Sequence, residues 1–216
     1  MASAGTVGDG TGAPGYPPPV IESTSTGAVA LRAAIVEQGR VEGSLLKVDD
    51  FLNHRVDPAL ISSIGDTLAG TFESTQPELV LTAEASGIPP ALATGAALGV
   101  PIVYAKKYPR SDAVRPAFVR EVSSPTKGVE YRVEVARRVL PAGTRVLIVD
   151  DFLSGGRTAE ALGEIVLEAQ AELVGLGFVI EKAFMKGRER LEIHGWHVES
   201  VAVVTSLGDG IISLLN

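Results

Sequence analysis

No cysteine occurs in the 216 residues of this chain. That absence excludes disulfide staples, thiol nucleophiles and thiolate metal cages, and it suits a reducing compartment such as the cytosol. Positive charge is also in short supply: 19 Lys and Arg stand against 26 Asp and Glu, a formal net charge of −7. A net-acidic surface repels phosphate backbones, so no broad nucleic-acid interface is expected, although a local basic cluster could still hold a small polyanion. A clean membrane span is missing too. The uncharged run 85–105 has the length of one, but Pro89, Pro90, Pro101, Gly87, Gly95 and Gly99 interrupt it. It reads instead as a buried helix followed by a buried strand. The chain does not open on a basic region followed by an apolar stretch, so neither a signal peptide nor a membrane partner is expected.

What is present is a core-forming composition. Hydrophobic residues make up 45% of the chain, enough for one compact domain of the α/β class. Residues 1–27 stand apart as a Gly-, Ser-, Thr- and Pro-rich segment and read as a disordered leader, because so little apolar surface cannot offset the entropy of ordering it. Gly10, Gly12 and Gly15 fall at the spacing of a dinucleotide-binding fingerprint. No strand precedes them, no helix follows and Pro14 sits inside the match, so the spacing is accidental. From 28 to 216 helices and strands alternate. Helices are expected at 28–38, 57–72, 90–98, 157–169 and 186–194, and strands at 79–83, 100–105, 145–150, 173–182 and 198–205. A hairpin should pair 114–122 with 129–136 across Ser124-Pro125-Thr126-Lys127-Gly128. Asp57 and Pro58 are the N-cap and first turn of the second helix, whose apolar face is Leu60, Ile61, Ile64, Leu68 and Phe72. Strands separated by helices imply βαβ units and a mostly parallel sheet flanked by helices.

The most informative stretch is Val146-Leu147-Ile148-Val149-Asp150-Asp151-Phe152-Leu153-Ser154-Gly155-Gly156-Arg157-Thr158. Four apolar strand-formers lead into two adjacent acids, then a small-residue loop, then a helix. Ligands of open α/β sheets sit beyond the carboxyl ends of the strands. The loop Ser154–Thr158 points backbone N–H groups at a helix start, a nest for a phosphate. Carboxylates beside a phosphate would repel it, but they suit sugar hydroxyls or a sugar carbon gaining positive charge. A phosphorylated ribose satisfies both halves. A strand–loop–helix with solvated acids, or a magnesium-holding acid pair of a receiver-type domain, uses similar parts. No Gly-Lys-Ser/Thr follows the strand, which excludes a P-loop.

This stretch resembles the motif with which type I phosphoribosyltransferases bind 5-phosphoribosyl 1-diphosphate (PRPP). The resemblance implies that family's fold, a mostly parallel sheet flanked by helices with a small hood. It implies that Ser154, Gly155, Gly156, Arg157 and Thr158 bind PRPP and that Asp150 and Asp151 are catalytic. Glu84-Ala85-Ser86-Gly87 resembles the family's diphosphate loop. Lys106 and Lys107 would neutralise the leaving diphosphate, and residues 106–137, with Arg110, Arg115 and Arg120, resemble its mobile catalytic loop. The run Leu45-Leu46-Lys47-Val48-Asp49-Asp50-Phe51-Leu52-Asn53-His54 resembles the hood of bacterial xanthine phosphoribosyltransferases, and Ile180-Glu181-Lys182-Ala183-Phe184 extends the likeness. The base-binding hood would then comprise about 28–57 and the C-terminal strand region. Leu46, Asn53, Lys182 and Phe184 would contact xanthine: the amide and the ammonium can donate to ring carbonyls and an aromatic can stack on a purine. Read singly, Asn53 is a loop cap, Lys182 a strand-end lysine and Phe184 a core residue, and Lys106-Lys107 is equally a solvated pair.

The same resemblance implies PRPP and xanthine as substrates, Mg²⁺ carried by the diphosphate with no protein-built metal cage, a homodimer and cytoplasmic purine salvage. One position departs from hypoxanthine–guanine relatives: Ser154 stands where an acid can take the base proton. Two alternatives share the fold, a non-enzymatic regulator that senses PRPP and a transferase preferring guanine or hypoxanthine.

Overall fold

The computed structural model describes residues 21, 24–43, 45–109, 116–124, 129–208 and 210–215. The rest of the expected leader and the expected hairpin tip lie outside them. The chain forms an eight-stranded sheet with helices on both faces. In chain order the elements are α1 (Thr26–Gln38), β1 (Arg40–Glu42), β2 (Leu45–Lys47), α2 (Pro58–Phe72), β3 (Leu79–Ala83), α3 (Ile88–Leu98), β4 (Ile102–Pro109), β5 (Ala117–Ser124), β6 (Val129–Ala136), β7 (Arg145–Leu153), α4 (Arg157–Glu168), β8 (Glu172–Lys182), α5 (Gly187–Glu192), β9 (Val198–Gly208) and β10 (Ile211–Leu214). The sheet order is β10-β9-β8-β7-β3-β4-β6-β5. The central strands β4, β3, β7, β8 and β9 are parallel, so their carboxyl ends share one edge; β10 and β6 run against them, and β5 pairs antiparallel with β6.

Two apolar clusters clothe the sheet. One gathers Leu31, Ile35, Ile64, Leu68 and Phe72 of α1 and α2 over Leu147, Val149 and Val179; the other gathers Leu162, Ile165 and Val166 of α4 over Leu81, Val146 and Ile148. α2 and α3 approach so closely that a methyl on Gly65 would meet the backbone of Ala93. Gly175 lies under the Phe72 ring and Gly163 under Trp196, where a larger residue would force the rings away.

Several expectations need correction. The fold begins before 28: Ile21 is buried in the α1–α2 cluster, and Ser25 caps α1 by accepting the Ala28 N–H, so part of the expected leader is ordered. The strand after α3 is not buried. Only Ala105 of β4 is fully covered, and Tyr104 is 44% exposed. That strand runs on to Pro109 because β6 returns antiparallel beside its second half, pairing Lys106 with Glu134 and Lys107 with Val133. β7 likewise runs three residues past 150, held by β8 through Phe152 and Leu153. The short pair β1–β2 and the final strand β10 carry too little periodic pattern to be read from sequence.

Within 106–137 the described residues are strand except Pro116 and Arg137. Arg120 donates to Glu164 at 2.7 Å and to Glu168 at 2.6 Å, and Arg137 donates to Glu168 at 3.0 Å, tying the β5–β6 ribbon to α4.

Candidate active site

The site lies at the shared carboxyl edge of β3, β7 and β8. Successive side chains of a strand point to opposite faces, and β7 obeys this: Val146 and Ile148 join the α4 cluster, Leu147 and Val149 the α1–α2 cluster. The two acids follow, and their carboxyls lie close enough for a side-chain hydrogen bond. Asp150 lines a recess of about 190 Å³ shared with Tyr131, Phe152, Ser154, Gly155 and Thr158. Asp151 feels the charge of Lys182 at the end of β8. Both carboxylates are only 8% exposed. Burial, and next the charge of Asp151, push the Asp150 carboxyl well above the usual carboxylate range, while the Lys107 ammonium pulls the other way.

The recess floor is the turn from β7 into α4. Gly156 occupies the N-cap position with φ 75°, a left-handed conformation that suits glycine, and a Cβ on Gly155 would meet nothing within 4 Å. The loop therefore lies open beside the unpaired N–H groups of a helix start, which is where an anion binds. Arg157 and Thr158 reach across to the β5–β6 ribbon. Arg157 donates to Ser123 Oγ at 2.7 Å, and the Thr158 and Tyr131 hydroxyls are 2.8 Å apart.

A second loop follows β3. The Lys107 N–H donates to Glu84 Oε1 at 2.7 Å, the Glu84 N–H donates to the Ala105 carbonyl at 3.0 Å, and the Glu84–Ala85 peptide is cis. Gly87 closes this loop against the acids: a methyl there would overlap both Thr82 Oγ1 and Asp150 Oδ1. Gly87→Ala should therefore displace Asp150, lowering turnover by about tenfold or more together with a lower melting temperature. An assay beside a thermal melt checks this.

The two lysines separate. Because β4 continues through them, Lys106 and Lys107 leave opposite faces. Lys107 acts on Asp150 and lies 5.6 Å from the Tyr131 ring centre, whereas Lys106 lines a different recess with Tyr104, Tyr108 and Glu134. Neither lysine lines the first recess.

Leu46 of β2 is buried in the cluster that holds Val179 and Ile180 of β8. Asn53 ends a single π-helical turn, Asp49–Asn53, and its Oδ1 is buried without a hydrogen-bond partner among the described residues. Lys182 Nζ lies 4.8 Å from the Phe152 ring centre. Burial lowers the Lys182 ammonium pKa, and Asp151 opposes that shift. Phe184, 45% exposed, stands on the turn Ala183–Met185 just beyond.

Among the described residues no three His, Asp or Glu side chains form a metal cage. Asp150 and Asp151 do supply two hard oxygen ligands, the number a Mg²⁺ ion takes from protein when substrate phosphates fill other positions.

Residues 55–204 match the family of the phosphoribosyl transferase domain. The chain belongs to the phosphoribosyltransferase family. Its curated relatives in that family include a xanthine phosphoribosyltransferase of Chloroflexus aurantiacus, 48% identical over 83% of this chain and 85% of that protein. Another, of Pseudomonas fluorescens, is 44% identical over 86% of this chain and 98% of that protein. The fold matches the adenine phosphoribosyltransferases of Saccharomyces cerevisiae and Rhodothermus marinus, each with TM-score 0.67, 24% identity and 99% of that chain covered, over 81% and 82% of this one. The type I phosphoribosyltransferase fold, with its mixed, mostly parallel sheet, is thus established for this chain.

Sequence reasoning missed three side chains here. Phe152 was visible inside the acid–loop stretch, but only folding shows that it underlies Lys182. Tyr131 and Ser123 sit on ribbon strands with no chemical signature, and their role comes from the fold that lays β5–β6 over the loop.

Proposed function

We propose that this phosphoribosyltransferase transfers the 5-phosphoribosyl group of PRPP to a ring nitrogen of xanthine, releasing diphosphate and forming XMP for purine salvage. One observation carries the reading: a buried carboxylate and an open glycine loop at a helix start share a single recess, the two chemistries a phosphorylated ribose needs. The names of relatives 43–48% identical support xanthine as the base.

In this reading the loop Ser154–Thr158 holds the 5′-phosphate and Asp150 and Asp151 accept hydrogen bonds from the ribose hydroxyls. Their charge favours the sugar as the diphosphate leaves and positive charge grows at the anomeric carbon, as in glycoside hydrolysis. Backbone N–H groups of Glu84–Gly87, with the Lys107 ammonium, receive the diphosphate. Mg²⁺ bound with PRPP, beside Asp150 and Asp151, supplies neutralisation of the diphosphate charge. Asn53 and Lys182 hydrogen-bond the oxopurine, Phe184 stacks on it and Leu46 shapes the floor beneath. The uncovered face of β4 supports pairing into a homodimer, and the lack of cysteine suits the cytosol. No helix among the described residues is long and apolar enough to cross a membrane.

The test is diphosphate release from PRPP and Mg²⁺ with xanthine, guanine, hypoxanthine and adenine supplied in turn. Xanthine should react fastest. A preference for adenine would overturn the base assignment, and PRPP binding without release for any base would favour the regulator.

A further inference from the structure

We propose that Arg190 is a positioning residue for the anion loop: by holding the Gly155 carbonyl from behind, it aims the Gly156 N–H into the recess. The proposal rests on the reading of Ser154–Thr158 as the 5′-phosphate site.

α5 packs against the loop between β7 and α4. A Cβ on Gly187 would overlap the Ser154 carbonyl oxygen, and one on Gly156 would come within 2.9 Å of the Gly187 carbonyl oxygen. The helix is pinned on its inner side by Arg188. That buried guanidinium donates to Glu181 Oε1 at 3.2 Å through Nε, to Glu181 Oε2 at 2.8 Å through Nη2, and to the Val198 carbonyl at 2.5 Å. Ser200 Oγ donates to the same Glu181 Oε2 at 2.7 Å. A residue two further on lies about 200° around a helix, so Arg190 leaves the other side, toward the loop.

There Arg190 Nε donates to the Gly155 carbonyl at 2.8 Å and Nη1 donates to Glu160 Oε2 at 2.9 Å. Glu160 stands in the first turn of α4, the helix this loop opens. The guanidinium is therefore held at its far end by the element whose start it shapes. In a trans peptide the C=O and N–H point in opposite directions. Drawing the Gly155 carbonyl to Arg190 turns the Gly156 N–H away from it, and Gly156 is part of the recess wall. Two successive glycines leave this peptide unusually free to rotate, so its orientation depends on such an external tie. The sequence offers no hint of it, because the tie spans 35 positions.

Titration calorimetry tests this with two probes, ribose 5-phosphate for the α4 loop and inorganic diphosphate with Mg²⁺ for the Glu84–Gly87 loop. Arg190→Met keeps the apolar stem and removes the donors. It should weaken ribose 5-phosphate binding by about tenfold and change diphosphate binding by no more than about twofold, the spread of an ordinary surface substitution. Glu160→Met removes the acceptor at the far end of the guanidinium and should show the same selectivity with a smaller loss, which keeps the test open if Arg190→Met fails to fold. Equal losses for both probes, or none for ribose 5-phosphate, would overturn the proposal. So would a loss that vanishes at high salt, where the Debye length shrinks to about 3 Å, because Arg190 would then act only as a distant charge. A native chain that binds neither probe would sink the reading of the recess itself, an outcome distinct from the failure of Arg190.

Discussion

Asp150→Asn should give a chain that melts at a higher temperature than the native one yet turns over about a hundredfold more slowly. The two effects share one cause. Burial and the neighbouring Asp151 hold the Asp150 carboxyl well above its usual range, so the folded chain binds that proton more tightly than the unfolded chain does. The group favours folding fully below the ordinary carboxylate range, and this benefit is lost as pH rises toward the raised folded value. At neutral pH the residue thus opposes folding relative to an uncharged isostere. Asparagine keeps the Oδ1 acceptor that receives the Asp151 N–H at 3.0 Å and removes the titrating proton. Thermal melts should show the difference between variant and native chain growing from acid to neutral pH, by about 2–4 °C for each kcal/mol removed. Turnover falls because the charge facing the sugar is gone. A variant that melts lower at neutral pH, or one that keeps its turnover, would remove Asp150 from this role.

Lys182→Met is expected to raise the KM for xanthine by about thirtyfold while moving the KM for PRPP by less than about threefold. In the proposed reading Lys182 donates to a ring carbonyl, so its loss costs binding of the base and leaves the phosphate end alone. Its removal should not unfold the chain. Burial lowers the ammonium pKa, so below that lowered value the charged form opposes folding, and methionine packs on the Phe152 ring without a charge. Asn53→Ala should act on the same constant with a smaller change, about tenfold, because an uncharged amide is lost. Steady-state kinetics with each substrate varied in turn checks both. Equal losses for xanthine and PRPP would make these residues supports for the fold.

Where local pattern and tertiary environment agree, the sequence was legible. The apolar run 146–149, the acid pair and the glycine turn specify a strand, a loop and a helix start within thirteen positions, and the fold keeps them. Asp57 and Pro58 likewise announce α2, and Asp57 Oδ1 accepts the Ala59 and Leu60 N–H groups at 2.9 and 3.1 Å. The misreadings arise where a distant partner decides. β4 continues through Lys106 and Lys107 because β6, some thirty residues on, lies beside it, and nothing near the lysines encodes that. Ser25 and Ile21 look like tail until α1 and α2 provide a helix to cap and a surface to fill. Phe152 was plain to see, but its place under Lys182 depends on β8 lying next to β7.

The contact between the Asp150 and Asp151 carboxyls has a consequence for how such a protein can diversify. One carboxylate answers to the α4 side and its loop, the other to the end of β8. Because the two carboxyls touch, a substitution around Lys182 that shifts Asp151 is passed on to Asp150 and its recess.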